Sequence, residues 1–211
     1  FTEAARTDLE DLLVIDSDSV TGLVNDVAFA EGASAIVLPL KAGKSTVLYL
    51  LDPSQKGVNL LLQMASNDEA HYQLQLDRVS IDPANIIASQ GHSEDLVEWV
   101  LQRCYTAIAA VQLGVVQEAI RRTAIYVNER HQFNKPLSSF QAVSHRAANG
   151  YIDYSSLRAC VWLAAWTLSE GKDARAESRT AKWWACEAGH RIGHTAQHLH
   201  GGLGADVDYP I

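Results

Sequence analysis

The sequence lacks several features that would each define a class of protein. It has no excess of positive charge, because 17 lysine and arginine residues stand against 25 acidic residues, and a net charge of −8 argues against nucleic acid as a partner. Its three cysteines form no CxxC pair, so we expect free thiols in a reducing cytoplasm. It has neither a signal peptide nor an apolar run of about 18 residues, so we expect a cytoplasmic chain with no membrane partner.

The sequence changes character near residue 90. Before that point, short apolar runs at residues 12–15, 35–40, 46–51 and 60–62 are separated by turn residues, as at residues 42–44. Residues 71–79, HYQLQLDRV, alternate apolar and polar side chains, which is typical of a half-buried antiparallel strand. We therefore predict a small antiparallel β-barrel or sandwich domain over residues 1–90.

After residue 90 the periodicity becomes helical. Ser93, followed by Glu94 and Asp95, is a typical helix start, and the first run extends to about residue 131. Further runs cover about residues 138–169 and 174–200, so we predict a long-helix antiparallel bundle over residues 91–211 and an α+β fold class for the whole chain. Three helices would leave apolar faces uncovered, and we expect a fourth helix or a partner subunit to cover them.

Residues 130–141, RHQFNKPLSSFQ, connect the first two predicted helices. One interpretation is a plain corner in which Phe133 packs, Pro136 breaks the helix and Arg130 is solvated. The other is a binding function, in which Arg130 holds a phosphate by a charge-assisted hydrogen bond and Phe133 packs against a ring. The stretch by itself leaves both interpretations open.

Residues 197–204, QHLHGGLG, end the third predicted helix with three glycines in four residues. Glycine ends helices routinely, and it also lets a backbone approach a ligand closely. His190, His194 and His198 share a helix face at a spacing that can bind zinc, but no carboxylate lies between them as in HExxH. We therefore predict no metal site and favour an interfacial or solvated histidine face.

A β half followed by long helices that carry these two motifs resembles the acyl-CoA dehydrogenase family. The resemblance is carried by YVNERHQFNKPLSSFQAVSHRAA at residues 126–148 and AKWWACEAGHRIGHTAQHLHGGLGADVDYP at residues 181–210. It is strong over residues 114–210 and diffuse over residues 1–90. It implies the family's middle β domain followed by its C-terminal bundle, with the N-terminal helical domain missing and the bundle truncated at its end.

The resemblance also implies FAD as the cofactor. In this family the Arg-x-x-Phe corner of one subunit reaches the FAD held mainly by its neighbour, so Arg130 would meet the pyrophosphate, Phe133 the adenosine side, and Gln141 would hydrogen-bond the cofactor. His198 stands where members carry Gln, and Asn134 where they carry Gly. The implied cofactor-binding residues are Arg130, Gln132, Phe133, Leu137, Gln141, His198, Gly201, Gly202 and Gly204.

The family reaction is α,β-dehydrogenation of an acyl-CoA thioester, with a Glu as the base. In this sequence one family position for that Glu falls at Cys104, or at Gln102, and the other lies beyond Ile211. Glu98 is off register, so the catalytic residues are unknown. In the β half, Ala28 stands where the family has a Thr beside the flavin.

The resemblance leaves several functions open. The first is a subunit of a heteromeric acyl-CoA dehydrogenase, similar to those of actinobacterial steroid side-chain degradation, built as a dimer of dimers with a paralogous subunit. Its substrate would be a bulky CoA thioester, and its electron acceptor an electron-transfer flavoprotein. The second is a self-sufficient homo-oligomer with its Glu beyond residue 211. A non-catalytic structural or regulatory subunit, and a flavin oxidase or monooxygenase, are the others.

Overall fold

A computed structural model describes residues 13–16, 18–42, 45–65, 68–87 and 93–211 of the chain. The chain forms two compact units, which divide between Val100 and Leu101. The domain boundary predicted at residue 90 lies outside the described residues, as do residue 12 of the first apolar run and residues 43–44 of the predicted turn.

The described residues of the first unit form six antiparallel strands in two sheets. The larger sheet has the order β1-β2-β6-β5, and the smaller one pairs β3 with β4. The strands are β1 (Val14–Asp16), β2 (Ser19–Ala28), β3 (Ile36–Ala42), β4 (Ser45–Leu51), β5 (Val58–Gln63) and β6 (His71–Ser80). Apolar side chains from both sheets pack into one core, and the predicted antiparallel β unit is confirmed.

Strand β6 is the half-buried antiparallel strand that the alternating pattern predicted, and it is an inner strand of the larger sheet. Tyr72, Leu74 and Leu76 are buried, whereas the glutamines between them lie on the more exposed face. On one side β6 pairs with β5 in a regular register, and on the other it pairs with β2. The pairing with β2 shifts register between Val20 and Gly22 and again between Val24 and Val27, where Asp26 has a φ of 62°. The second irregularity therefore lies directly before Ala28.

The second unit consists mainly of three helices: α1 (Ser93–Glu129), α2 (Gln141–Ser169) and α3 (Arg175–His200). Their bounds agree with the predicted runs to within a few residues. A short turn at residues 170–174 joins α2 to α3, and Asp153 in the first half of α2 binds Arg191 in the second half of α3, so these two helices run antiparallel. All three helices share one core, formed by Ala109, Val116, Leu157, Val161, Ala164, Ala181, Ala185, Ala188 and Ile192.

Helix α1 is also apolar enough to meet a simple criterion for a membrane span. An 18-residue window within Asp95–Glu129 has a mean hydropathy of 1.2, and 33% of that window is buried. Core helices of water-soluble proteins meet the same criterion. Ala109 and Val116 of α1 contribute to the core shared with the other helices, so its composition also fits a bundle helix.

A buried amide joins α1 to the turn between α2 and α3. Gln102 is 6% exposed, and its Nε2 donates to Asp173 Oδ1 at 2.8 Å. Its Oε1 accepts from the backbone N–H of Ala174 at 3.0 Å. Asp173 Oδ1 also accepts from the backbone N–H of Arg175, the first residue of α3, at 3.1 Å. Gln102 therefore binds the N–H of Ala174 directly and orients the Asp173 carboxylate that accepts from Arg175.

We predict that Gln102→Ala lowers the free energy of unfolding by about 1–3 kcal/mol, because it leaves a buried backbone N–H without a partner. Denaturant unfolding followed by circular dichroism measures the change. Gln117→Ala is the control, since Gln117 lies exposed on the same helix, and its effect should stay within about 0.5 kcal/mol. Equal effects of the two substitutions would contradict a stabilising role for the Gln102 amide.

Candidate functional site

The connection between α1 and α2 is a short β-hairpin rather than a plain helix corner. Strand β7 (His131–Gln132) pairs with β8 (Lys135–Pro136), and only two residues join them. These residues, Phe133 and Asn134, have φ values of 54° and 64°. Two central residues with positive φ are typical of a type I′ turn, which suits the twist of a tight hairpin.

The hairpin projects Phe133 into solvent. Its side chain is 85% exposed, so the packed Phe133 of the plain-corner interpretation is not observed. Its ring meets that of Phe140 edge to face, with the centroids 6.2 Å apart. Lys135 Nζ lies 4.4 Å from the centroid of the same Phe140 ring. A positive charge and an exposed aromatic ring therefore lie side by side on this hairpin.

The backbone of Arg130 is held by two hydrogen bonds, whereas its side chain is exposed. Its N–H donates to Tyr126 O and its carbonyl accepts from Leu137 N, both at 2.8 Å. Within the residues that the structure describes, its exposed guanidinium has no hydrogen bond or ion pair.

The half-buried Leu137 begins a 3₁₀ turn, and Gln141 begins α2 with its side chain exposed. The exposed Gln132 lies in β7.

The glycine-rich turn begins where α3 ends. Gly201 has a φ of 63°, which favours glycine, and Gly202 is exposed with no atom within 4 Å of a Cβ built on it. Gly204 is different, because it is buried and a Cβ there would lie 2.5 Å from Gln197 O. The close approach at Gly204 is thus to the last turns of α3, whereas Gly201 and Gly202 lie open to solvent.

A buried histidine holds this turn against α1, a feature that the sequence analysis missed. His200 is 2% exposed, and its ring stacks on Tyr126 with the centroids 4.4 Å apart. Tyr209 packs at 5.4 Å from the same ring. His200 Nδ1 lies 2.8 Å from Ala196 O, while the buried Nε2 has no hydrogen-bond partner among the described residues. The signal in the sequence was that His200 follows the apolar Leu199 at the end of the third predicted helical run.

An arginine on α1 binds the segment that follows the glycines. Arg122 Nη1 donates to Pro210 O at 3.1 Å, and its Nε donates to Glu118 Oε1 at 2.7 Å. Arg121 also donates to Glu118, at 2.7 Å, and the hydrogen bonds from the two arginines lower the pKa of that carboxyl to about 2. Glu118 therefore stays ionised and keeps Arg122 oriented.

The hairpin and the glycine turn are both anchored at the same end of α1. Tyr126 accepts the N–H of Arg130 through its carbonyl, stacks on His200, and donates through its hydroxyl to His200 O at 3.4 Å. Tyr126 thus connects both predicted parts of the cofactor site, the hairpin and the glycine turn.

His198, another predicted cofactor-binding residue, lies exposed on α3.

The exposed histidine face of α3 includes one ring contact, between His190 and His194, whose centroids are 4.5 Å apart. In the part of the chain that the structure describes, no group of three or more histidine, cysteine or acidic side chains is placed to hold a metal ion.

Gln102, Cys104 and Ala28 occupy the positions that the resemblance assigns to the family's catalytic base and flavin-side threonine. Gln102 is committed to the start of α3, and Cys104 is half-buried. Ala28 lines an open hollow of about 460 Å³ together with Phe29 and Tyr72. The hydroxyl of Tyr72 donates to Glu31 at 2.7 Å, which raises the pKa of the tyrosine. Ala28 offers no hydroxyl to this hollow.

Comparison with known proteins identifies the family. Residues 95–211 match the sequence profile of the acyl-CoA dehydrogenase C-terminal domain. The acyl-CoA dehydrogenase FadE27 of Mycobacterium tuberculosis is 32% identical over 200 residues, covering 91% of this chain and 52% of that protein. The chain therefore belongs to the acyl-CoA dehydrogenase family, and the resemblance drawn from the sequence is confirmed.

Solved structures confirm the fold class. The crystal structure of the ChsE4-ChsE5 complex from Mycobacterium tuberculosis matches with a TM-score of 0.86 and 32% identity, over 94% of this chain and 54% of that one. A Tcur3481-Tcur3483 steroid ACAD variant matches with a TM-score of 0.80 and 35% identity, over 94% and 53%. The chain spans about half the length of the relatives that it matches.

We predict that Gly204→Ala destabilises the glycine turn, because a Cβ would collide with backbone atoms of Gln197 that cannot move aside cheaply. The expected loss is about 1–3 kcal/mol of unfolding free energy. Near-ultraviolet circular dichroism should also change, since Tyr126 and Tyr209 pack on the adjoining His200.

Gly202→Ala is the matched control, since a Cβ there meets no atom within 4 Å. It should unfold like the unsubstituted chain and keep the same aromatic spectrum. If Gly204→Ala were as stable as Gly202→Ala, the close approach to Gln197 would not constrain the turn.

Proposed function

We propose that this chain is a subunit of a FAD-dependent acyl-CoA dehydrogenase and that it contributes FAD contacts across a subunit interface. The hairpin between α1 and α2 and the glycine turn after α3 would bind the phosphate and adenosine half of the cofactor. The flavin ring would lie mainly in a neighbouring subunit. The substrate would be an acyl-CoA thioester.

The observation that carries this proposal is the contrast between the backbone and the side chains of the hairpin. The backbone of Arg130 is held by two hydrogen bonds of 2.8 Å, yet its guanidinium has no partner among the described residues. Phe133 is held in a two-residue turn, yet its ring faces solvent. A guanidinium suits a phosphate, and an exposed aromatic ring suits a planar heterocycle. Groups that are fixed in place and left unsatisfied favour a ligand from outside the chain.

The glycine turn fits the same ligand. Gly201 and Gly202 are exposed, and the space beside Gly202 is open, so a cofactor could approach the main chain there. When bound, FAD supplies the oxidant for α,β-dehydrogenation of the thioester. The part of this chain would be to bind and orient the cofactor through Arg130, Gln132, Phe133, Leu137, Gln141, His198 and the three glycines.

The surroundings of the base positions support the role of a subunit without a base. Gln102 cannot accept a proton from a substrate, and its buried side chain is bound to the turn between α2 and α3. Cys104 stands at the other candidate position. The names of the two solved relatives each join two proteins, and one of them is called a steroid ACAD. We therefore propose a paralogous partner that carries the base, a dimer of dimers, and a bulky steroid side-chain CoA ester as substrate.

The remaining features of this proposal come from the family resemblance. The electron acceptor would be an electron-transfer flavoprotein, and the complex would work in the cytoplasm in the degradation of lipids. The electron acceptor and the role in lipid degradation do not depend on the hairpin geometry. Either could be disproved without affecting the proposed cofactor site.

We predict that Arg130→Ala weakens FAD binding in the assembled oligomer by about 10- to 100-fold, because a charged hydrogen bond contributes about 1.5–3 kcal/mol. The ratio of flavin absorbance to protein after gel filtration measures the retained cofactor. Unchanged flavin content would contradict the proposal.

Arg158→Ala is the control for this experiment. Arg158 is an exposed arginine on α2, outside the hairpin, and its loss changes the net charge of the chain equally. Its flavin content should equal that of the unsubstituted protein, so a general effect of charge on assembly would be recognised.

We also predict that the full-length chain purified alone shows little acyl-CoA dehydrogenase activity, because neither Gln102 nor Cys104 is a suitable base. Dye reduction with acyl-CoA measures the activity, and addition of the paralogous partner should raise it. Rapid dye reduction by the chain alone would instead support a self-sufficient homo-oligomer whose Glu lies beyond residue 211.

A further inference from the structure

Residues 130–152 include no acidic side chain, although the whole chain has 25 acidic residues against 17 lysines and arginines. The same stretch carries three cations, Arg130, Lys135 and Arg146, and all three are exposed. A local excess of positive charge attracts an anion even when the net charge of a protein is negative. The hairpin between α1 and α2 lies at the start of this stretch, so its surroundings favour a negatively charged ligand.

Lys135 shares a face of the hairpin with Gln132. The two residues lie directly opposite each other in the pairing of β7 with β8. Side chains of directly opposite residues in an antiparallel pair stand on the same face and are close neighbours. Gln132 belongs to the implied FAD contacts, whereas Lys135 does not. The register of the hairpin therefore places a lysine beside a residue that the resemblance assigns to the cofactor.

The Lys135 ammonium is held beside the aromatic rings of the hairpin. Its Nζ lies 4.4 Å from the centroid of the Phe140 ring, and the Phe133 ring meets Phe140 edge to face at 6.2 Å. The face of one ring attracts a cation but occupies only part of its N–H donors. Among the described residues, the Lys135 ammonium has no hydrogen bond or ion pair. Its remaining N–H donors are therefore available to an anion.

Arg130 stands at the base of the same hairpin. The N–H of Leu137 donates to Arg130 O at 2.8 Å, so the chain stays paired from the turn down to Arg130. Arg130 and Lys135 thus lie on opposite sides of one small, hydrogen-bonded element. Two cations held in this way suit a ligand with two adjacent phosphates, because each cation can meet a separate negative charge.

The position of Lys135 relative to Phe133 indicates which phosphate the lysine meets. The resemblance assigns Arg130 to the pyrophosphate and Phe133 to the adenosine side of the cofactor. Lys135 and Phe133 both contact Phe140, so the lysine lies near the residue that is assigned to the adenosine. In FAD a single ribose separates the adenine ring from the nearest phosphate. The ammonium therefore fits the phosphate on the adenosine side.

Lys172 makes the same kind of ring contact in a different electrostatic setting. Its Nζ lies 4.7 Å from the centroid of the Trp166 ring, and its side chain is also exposed. Glu170 and Asp173 lie within two positions of it in the sequence, so acidic charges balance its own. Lys135 has no such acidic neighbour in residues 130–152. The charge of its surroundings therefore distinguishes Lys135 from a lysine that merely covers an aromatic ring.

We propose that Lys135 is a second cation of the cofactor site and binds the FAD phosphate on the adenosine side, while Arg130 binds the pyrophosphate from the base of the hairpin. The role of Lys135 rests on the proposed function, because the ligand is the cofactor assigned there. Lys135 binds the cofactor and takes no part in the transfer of hydrogen from the substrate.

Lys135→Met tests this role, since methionine removes the charge and leaves an unbranched side chain. The assembled oligomer is stripped of flavin and titrated with FAD, and the change in flavin fluorescence gives the dissociation constant. FAD should bind about tenfold more weakly at low salt, because one charge-assisted contact to a phosphate is lost. The difference should shrink at high salt, since salt screens the contact that the variant lacks. No loss of affinity, or a loss that salt does not change, would overturn the proposal.

Lys172→Met is the matched control, because it removes the same charge and a ring contact of the same kind. Its affinity for FAD should equal that of the unsubstituted protein. Lys135→Arg keeps the positive charge and should bind FAD more tightly than Lys135→Met, with the salt dependence retained. Equal losses in Lys172→Met and Lys135→Met, or no advantage of arginine over methionine at position 135, would contradict a phosphate contact.

Failure of the Lys135 contact can be told apart from failure of the proposed function. If Arg130→Ala lost FAD while Lys135→Met bound it as tightly as the unsubstituted protein, the hairpin would still hold the cofactor and only the role of Lys135 would be wrong. If the unsubstituted oligomer bound no FAD, the proposed function and the role of Lys135 would both be wrong. Circular dichroism should be native in every variant, since both lysines are exposed.

Discussion

The close approach of α3 to its neighbours is the constraint on which the helical unit depends. Half of the buried residues of α3 are alanines, at positions 181, 185, 188 and 196. Small side chains let helix axes come near each other, and at Gly189 the amide of Gln112 fills the place where a Cβ would lie, at 2.6 Å. A core packed in this way has little room for sliding, because interiors are as dense as crystals of small molecules. The ends of the helices are therefore held at fixed distances.

That fixed frame explains how two distant stretches of sequence meet. The hairpin follows α1 and the glycine turn follows α3, and both are anchored through Tyr126. His200 and Arg122 then hold the segment after the glycines on α1. In this arrangement the backbone is satisfied internally, whereas Arg130, Phe133 and the first two glycines face outward. Packing of the helices thus fixes the positions of the hairpin and the glycine turn, and the outward-facing groups are available to bind a ligand.

The sequence predicted the regular elements well, because their signals are periodic. The alternation in β6 and the three helical runs were visible directly, since each repeats over many residues. The hairpin was not predicted, because Phe133 is a poor residue for a positive φ and no Asn-Gly or Asp-Gly pair marks the turn. The contacts of Gln102 and His200 were also missed. Each joins residues about 70 positions apart, and no local pattern shows which distant group a buried polar side chain will meet.

The turn at Phe133 and Asn134 has a further consequence for recognition. A left-handed conformation costs a residue other than glycine about 1–2 kcal/mol, and the hairpin already bears that cost when no ligand is bound. A flexible loop would lose conformational entropy on binding, whereas this ring is presented in a conformation selected during folding. The left-handed turn thus lowers the stability of the free protein. It also reduces the conformational entropy that is lost when a ligand binds.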